Sequence, residues 1–313
     1  MKSSVPFRWQ RKDLVGLRDL ERWELDLILD RAFQVRKRPK DPHELPLAGK
    51  TVVLFFVEPS TRTRISFEIA ARRLGANVLA LEGGTSSLQK GETLLDTVRN
   101  LQAFDADIVV LRHWAAGTPT VLARRLQLAV VNAGDGAHEH PTQALADLFT
   151  IRDRLGQIEG VRVTIVGDIL YSRVARSNLW GLLKYDAKVT LVGPRTLLPR
   201  SFGDLPIRLT HSLEEGVEGA QVILLLRIQH ERHNQMHFPS LAEYVRLYQL
   251  RPCHLKKAHP ELLIMHPGPV HRNVELSDEL FHSSHSVILE QAANGITVRT
   301  AILEVLAERL PAR

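Results

Sequence analysis

Cysteine is nearly missing from this chain, with Cys253 the single one among 313 residues. It can form neither an intrachain disulfide nor a multi-cysteine zinc site, which fits a reducing compartment. No apolar run reaches the roughly 18 residues needed to span a bilayer. The start, Met1-Lys2-Ser3-Ser4-Val5-Pro6, lacks the apolar stretch and small-residue cleavage site of a signal peptide. The expectation is a cytoplasmic chain with no membrane partner. Aromatics are scarce at 6%, and none interleaves the dense basic run Arg36-Lys37-Arg38-Pro39-Lys40. A nucleic-acid surface wants such interleaving, so the run reads as a solvated loop and no nucleic-acid partner is expected. Glycine-rich phosphate loops are absent as well. No Gly-x-x-x-x-Gly-Lys-Ser/Thr occurs, and Gly167-Asp168-Ile169-Leu170-Tyr171-Ser172 lacks the later glycines that let backbone approach a pyrophosphate. A nucleoside-triphosphate enzyme and a nicotinamide enzyme are both disfavoured, and no cofactor is expected.

What is present is enough apolar sequence, 44% of positions, to bury the cores of two ordinary domains. The net charge of +6, from 41 Lys and Arg against 35 Asp and Glu, is a modest excess compatible with anionic ligands. Short apolar runs predict strands at 51–57, 77–81, 107–112, 129–133, 162–167, 187–192, 221–228 and 262–266. Several are continuous in Val, Ile and Leu, as strands covered by helices on both faces are. Helical patterns lie between them at 61–74, 92–104, 119–126, 141–155 and 172–185, with an early helix over 19–34 and a final one from about 294 to 310. The predicted class is α/β, two doubly wound parallel-sheet domains joined by helices. The change of domain is placed inside the helix that starts near His140.

The most informative local pattern is at the end of the first strand. Glu58-Pro59 terminates it and Ser60 stands at a helix N-cap position, with Ile65, Ile69 and Leu74 marking the packed face. Free backbone N–H groups and the positive helix end favour an anion there. The hydroxyls of Ser60, Thr61 and Thr63 and the fork of Arg62 add donors. A capped helix with exposed arginines is the competing explanation of the same residues.

Ser60-Thr61-Arg62-Thr63-Arg64 followed by Ser66-Phe67-Glu68, and later His140-Pro141-Thr142-Gln143-Ala144, resembles the carbamoyltransferase family. The likeness runs from Asp13-Leu14-Val15-Gly16-Leu17 to the last helix. Within the family, three segments are similar to the aspartate enzymes rather than the ornithine enzymes. Ser86-Ser87-Leu88-Gln89-Lys90 offers a loop ammonium suited to an acceptor with two carboxylates. Arg227-Ile228-Gln229-His230-Glu231-Arg232 puts cations where ornithine enzymes carry an Asp-containing segment, and Met265-His266-Pro267-Gly268-Pro269 stands where they read His-Cys-Leu-Pro. Gly268 departs from the Leu or Ala common there.

The resemblance implies that Ser60, Thr61, Arg62 and Thr63 bind phosphate, that Arg112 reaches phosphate and carbamoyl oxygen, and that His140 donates to the carbamoyl carbonyl. Arg62, Thr63, Arg112 and His140 are the implied catalytic set. Gln143 and the Gly268–Pro269 backbone would hold the carbamoyl NH₂, and Arg173, Arg227, Gln229 and Lys90 the aspartate carboxylates. Ser87 and Lys90 would enter a neighbouring chain's site, with Ser86 and Ser87 not separable as the loop ligand; Glu58 would bridge the domains through Arg173 and Arg232. It further implies a carbamoyl phosphate-binding domain over 1–145 with the C-terminal helix at about 291–313, and an aspartate-binding domain over 146–290. The substrates would be carbamoyl phosphate and L-aspartate, the product N-carbamoyl-L-aspartate of pyrimidine synthesis. The assembly would be a homotrimer, with a regulatory or dihydroorotase-like chain as a further partner. No metal is required. Two alternatives stay open: transfer to ornithine or another amino acid, and a non-catalytic anion-binding subunit.

Other candidate constellations read as structural. His230, His233 and His237 fall at i, i+3 and i+7, a spacing open to metal ligation, but Asn234, Gln235 and nearby arginines mark a solvated stretch. Asp135, Asp147 and Asp168 match no acid–base or magnesium motif and are expected at caps and turns.

Overall fold

The run Thr51–Phe56 forms strand β1 and is buried along its length except at Thr51, because Val, Leu and Phe alternating to both sides need cover on both faces. The computed structural model describes residues 8–38, 45–83, 90–229 and 240–311. With β2 (Asn77–Glu82), β3 (Ile108–His113) and β4 (Ala129–Asp135), β1 builds a parallel sheet ordered β2-β1-β3-β4. Helix α1 (Arg22–Lys37) precedes the sheet, α2 (Thr61–Arg73), α3 (Leu94–Ala103) and α4 (Thr118–Arg125) connect its strands, and α5 (Pro141–Leu155) leaves it. Val53, Phe55, Val98, Val109, Leu111 and Val130 share one core cluster. On the free side of β4, Leu14 exchanges backbone hydrogen bonds with Val130 and Asn132, both at 2.9 Å. The N-terminal segment thereby covers an edge that would otherwise expose unpaired N–H and C=O groups.

A second parallel sheet is ordered β7-β6-β5-β8-β9. Its strands are β5 (Arg162–Val166), β6 (Lys188–Val192), β7 (Ile207–Thr210), β8 (Val222–Leu225) and β9 (Leu263–Met265). Helices α6 (Arg173–Leu183), α7 (Leu213–Val217), α8 (Leu241–Tyr248), α9 (Pro252–Leu255) and α10 (Asp278–Phe281) surround them, and α11 (Ile288–Ala307) closes the chain. Val166, Ile223, Leu225, Tyr244, Leu250 and Ile264 belong to its core. The chain divides into two units, residues 1–145 with 294–313, and residues 146–293. The divide falls inside α5 and inside α11. Among the described residues no helix is long and apolar enough to cross a membrane.

The α/β class and the expected strands are present, with several differences. Strand β7 was not expected; only Thr210 of Ile207–Thr210 is buried, and four residues carry too little periodicity to separate from a loop. Helix α1 begins at Arg22 rather than at 19, because the Glu24 carboxylate accepts the Glu21 N–H at 2.8 Å and fixes the first turn there. Helix α11 begins at Ile288 rather than near 294.

Each sheet reverses direction once. The chain runs from β1 to β2 on one side and then to β3 and β4 on the other; in the second sheet it runs β5 to β6 to β7, then β8 and β9. Switch points therefore lie between β1 and β3 and between β5 and β8, where the carboxyl ends of parallel strands leave a crevice for ligands.

Candidate active site

In the first unit, the Ser60 turn and Arg112 come together at the β1/β3 switch point. Ser60 has extended backbone (φ −162°) and precedes the first turn of α2, but its side chain makes no cap hydrogen bond. The contrast with other helices is informative. The N-cap hydroxyls of Thr93, Ser172, Ser212, Ser240 and Ser277 each accept the N–H three residues on. At α2, with no acidic residue in its first turn, the amides and the helix dipole are open to an external anion. Thr61 and Arg62 are exposed, while Thr63 is buried.

Strands β1 and β3 place Phe56 opposite Arg112, and the Arg112 carbonyl accepts the Val57 N–H at 2.9 Å. Arg112 thus stands beside the Ser60 turn. Its Nη2 donates to Glu58 Oε1 at 2.8 Å, which steadies the guanidinium at the strand end. Next to it, His113 Nδ1 accepts the Ala115 N–H at 2.9 Å, and burial lowers the His113 pKa, so the ring there is neutral at physiological pH.

His140 enters from β4, the strand beside β3. Asp135 organises the turn before it. One carboxylate oxygen accepts the Gly117 N–H at 2.6 Å and contacts His138 Nδ1 at 3.0 Å; the other accepts Asn132 Nδ2 at 2.9 Å and the Glu139 N–H at 3.0 Å. Glu139 in turn accepts the Leu17 N–H at 2.8 Å and the Arg18 N–H at 3.4 Å, fastening the N-terminal segment behind His140. His140 is buried at the mouth of α5 and its carbonyl accepts the Gln143 N–H at 3.1 Å. Gln143 Oε1 lies 3.5 Å from Arg299 Nη2, and Arg299 also stacks over Phe67 of α2 at 5.4 Å. Sequence reading missed Arg299. Its signal was Gly295 one turn earlier, where a Cβ would lie 2.4 Å from Arg299 Nη1. Lys90, just past β2, is exposed.

In the second unit, the segments that carry Arg173 and Arg227 to Gln229 follow from the β5/β8 switch point. Asp168 follows β5, is fully buried, and accepts N–H groups from Tyr171 and Gln229, both at 3.1 Å. One carboxylate thereby ties the start of α6 to the segment after β8. Ser172 caps α6, and Arg173 is its first residue, 4% exposed. Arg227 and Gln229 are half-buried, with Gln229 Nε2 donating to the Arg227 carbonyl at 3.3 Å. Gly167 makes the close approach possible: its φ is +129°, and a Cβ would lie 2.6 Å from the Leu226 carbonyl oxygen. Glu275, missed in the sequence, sits buried behind Arg227. Desolvation pushes its carboxyl up to about 7 despite the backbone hydrogen bonds and the Arg227 charge that act to lower it. Burial, with Glu275 and Asp168 adding to it, also pushes the Tyr244 phenol up. Gly268 (φ +71°) and Pro269, joined by a cis peptide, follow the adjacent β9.

Asp135 and Asp168 hold turns, as expected. Asp147 does not: it lies within α5 and its carboxylate accepts two side-chain amides. Among the described residues no cluster of three or more His, Cys, Asp or Glu side chains could hold a metal. Ser86, Ser87, His230, Glu231, Arg232, His233 and His237 lie outside the described residues, as do Pro39 and Lys40 of the basic run.

Residues 12–153 match the carbamoyl-P binding domain of the aspartate/ornithine carbamoyltransferases, and residues 159–306 match their Asp/Orn binding domain. The chain is 51% identical over 301 residues to an aspartate carbamoyltransferase catalytic subunit of Syntrophus aciditrophicus (strain SB), covering 96% of this chain and 98% of that one. Among solved structures, it is similar to an aspartate transcarbamoylase of Trypanosoma cruzi in complex with carbamoyl aspartate and phosphate. The TM-score is 0.87 and the identity 29%, over 97% of this chain and 99% of the other. An ornithine carbamoyltransferase of Thermus thermophilus is similar too, with a TM-score of 0.85 and 28% identity over 95% and 99%.

Proposed function

The chain belongs to the aspartate/ornithine carbamoyltransferase family, and from that premise we infer that its β1/β3 switch point binds carbamoyl phosphate and its β5/β8 switch point binds the acceptor. The activity is aspartate carbamoyl transfer: the carbamoyl group of carbamoyl phosphate passes to the amine of L-aspartate, giving N-carbamoyl-L-aspartate and phosphate for pyrimidine synthesis. Because the ornithine enzyme shares the fold at nearly the same TM-score, the fold alone does not choose the acceptor. The identity to aspartate enzymes does, and the cationic Arg227 after β8 supports the same reading.

The single observation that carries the site assignment is the open start of α2. Ser60 leaves its own helix uncapped and Arg112 stands at the neighbouring strand end, so a phosphate has backbone N–H groups, hydroxyls and two guanidinium forks within one crevice. The dianion is held by Ser60, Thr61, Arg62 and Thr63. Residues 1–145 with the end of α11 form the carbamoyl phosphate-binding domain, and the unit between them binds aspartate. Arg173, Arg227, Gln229 and Lys90 meet the two aspartate carboxylates, of which ornithine keeps only the α-carboxylate and carries an ammonium in place of the other.

The neutral α-amine attacks the carbamoyl carbon and forms the C–N bond. Negative charge builds on the carbonyl oxygen, where Thr63, Arg112 and His140 donate to it. Gln143 and the Gly268–Pro269 backbone orient the carbamoyl NH₂. The C–O bond to phosphate then breaks, the leaving phosphate carries away the electron pair, and the amine proton passes to it. Catalysis is therefore largely proximity and preorganised charge. The working assembly is a homotrimer in which Ser87 and Lys90 of one chain complete a neighbour's site. The exposure of Lys90 beyond the edge strand β2 supports this. The relatives' name of catalytic subunit fits a separate regulatory or dihydroorotase-like chain. We place the reaction in the cytoplasm, where the exposed thiol of Cys253 stays reduced.

The test is an assay of purified chain with carbamoyl phosphate and either L-aspartate or L-ornithine, following the carbamoylated product. Carbamoyl-aspartate is expected, and product from ornithine alone would overturn the acceptor assignment.

A further inference from the structure

We propose that Asp147 and Gln291 are positioning residues for the Gly268–Pro269 loop, acting through His266. The proposal rests on the reading that this loop orients the carbamoyl NH₂. Asp147 is a fully buried carboxylate within α5, and Gln291 of α11 is 1% exposed. Asp147 Oδ2 accepts Asn178 Nδ2 of α6 at 2.7 Å, and Oδ1 accepts Gln291 Nε2 at 2.7 Å. That second bond decides how the Gln291 amide lies. Turned the other way, its oxygen would face a carboxylate and its NH₂ would face a backbone N–H, both repulsive. In the observed orientation Gln291 Oε1 accepts the His266 N–H at 2.9 Å.

His266 is the link to the loop. Its Nδ1 accepts the Gly268 N–H at 2.8 Å, so in the neutral ring Nε2 carries the hydrogen, 4.0 Å from Glu275 Oε2. The backbone of His266 is thus fixed by Gln291, and its ring holds the N–H of the next residue but one, Gly268. Three helices, α5, α6 and α11, converge through this chain on a loop that begins at the end of β9. A buried carboxylate is costly to desolvate unless hydrogen bonds satisfy it. Here one of those bonds ends on Asn178 in the core, and the other leads through Gln291 to His266, whose ring holds the loop. Gln291 and Asp147 touch no reacting atom; they set where the Pro269 carbonyl points.

The experiment uses the full chain with Gln291→Leu, Asp147→Ala, Asp147→Asn and Pro269→Ala. It measures KM for each substrate, the inhibition constant of inorganic phosphate, and hydrogen exchange of the peptide containing Gly268. In Gln291→Leu, KM for carbamoyl phosphate should rise about tenfold, as for one lost orienting hydrogen bond. Exchange at Gly268 should quicken by a similar factor, while phosphate inhibition holds, because Ser60 to Thr63 lie in the other unit. Asp147→Asn keeps an acceptor for Gln291 Nε2 and should recover most of the loss seen in Asp147→Ala. If Asp147→Ala does not fold, Gln291→Leu and Asp147→Asn decide the matter. Unchanged KM and unchanged exchange in a folded Gln291→Leu would overturn the proposal. So would an equal rise in the phosphate inhibition constant, which would mark general damage. Faster exchange with unchanged KM, in Gln291→Leu and with no effect of Pro269→Ala, would uphold the tether and overturn the carbamoyl reading of the loop.

Discussion

Glu58 Oε1 lies 2.8 Å from Arg112 Nη2, and the two side chains are only 22% and 14% exposed. A carboxylate therefore stands against a cation at the edge of the proposed phosphate crevice, where it both steadies the guanidinium and opposes an incoming dianion. Neutralising it with Glu58→Gln keeps a hydrogen-bond acceptor and removes the opposing charge. Inorganic phosphate should bind about fivefold tighter, the effect of about 1 kcal/mol of relieved repulsion in this partly buried setting. Calorimetric titration with phosphate checks it, and equal or weaker binding counts against placing the anion beside Arg112.

Arg62→Ala should leave the fold intact, because the residue is exposed at the start of α2; its effect on stability should stay within about 0.5 kcal/mol. Turnover should fall by about 10²–10³-fold, as when a donor to the developing charge is removed. Thermal unfolding and steady-state kinetics on the same sample separate the two. Wild-type turnover in the variant removes Arg62 from the site.

Gly167→Ala should damage the other switch point. A methyl at a φ of +129°, 2.6 Å from the Leu226 carbonyl oxygen, must displace the strand end that carries Arg227. The loss should be about 2–4 kcal/mol of stability. In protein that still folds, KM for aspartate should rise more than KM for carbamoyl phosphate. Denaturant unfolding followed by kinetics at saturating second substrate tests this, and an unchanged midpoint refutes the steric argument.

Glu275 predicts a pH signature in stability. Its folded value of about 7 lies above the ordinary 4.5, so between those values the native state holds a proton that the unfolded chain has released. Stability therefore declines as pH rises from about 4.5 to 7 and levels off above, by a total of about 3 kcal/mol. Glu275→Gln has no such proton to lose. Its stability relative to wild type should improve by up to that amount between pH 4.5 and pH 8. Denaturant titrations at the two pH values measure the difference, and a constant difference means that Glu275 titrates as an ordinary surface acid.

Much of this was legible before any coordinates. The continuous Val, Leu and Phe runs that mark β1, β3 and β4 exist because both faces of a parallel sheet are covered, and that requirement is written residue by residue. Ser60 could be placed at a helix start from Pro59 before it and the apolar spacing after it. Strand β7 could not be found, since a short edge strand half open to solvent has little pattern to show. Glu24 set the start of α1 through a local bond that propensity alone does not weigh.

By itself, the sequence determined the α/β class, the order of elements and the residue types gathered at strand ends, because these follow from local periodicity and from motifs only a few residues long. Tertiary structure alone decided that Ser60 leaves its helix uncapped and that Arg112 stands beside it opposite Phe56. It also paired Arg299 with Gln143, raised Glu275 behind Arg227, and joined Asp147, Gln291 and His266 across 144 residues of chain in the first of those links. Hydrogen bonds and desolvation depend on which distant groups share a low-dielectric interior, and no window of local sequence contains both partners.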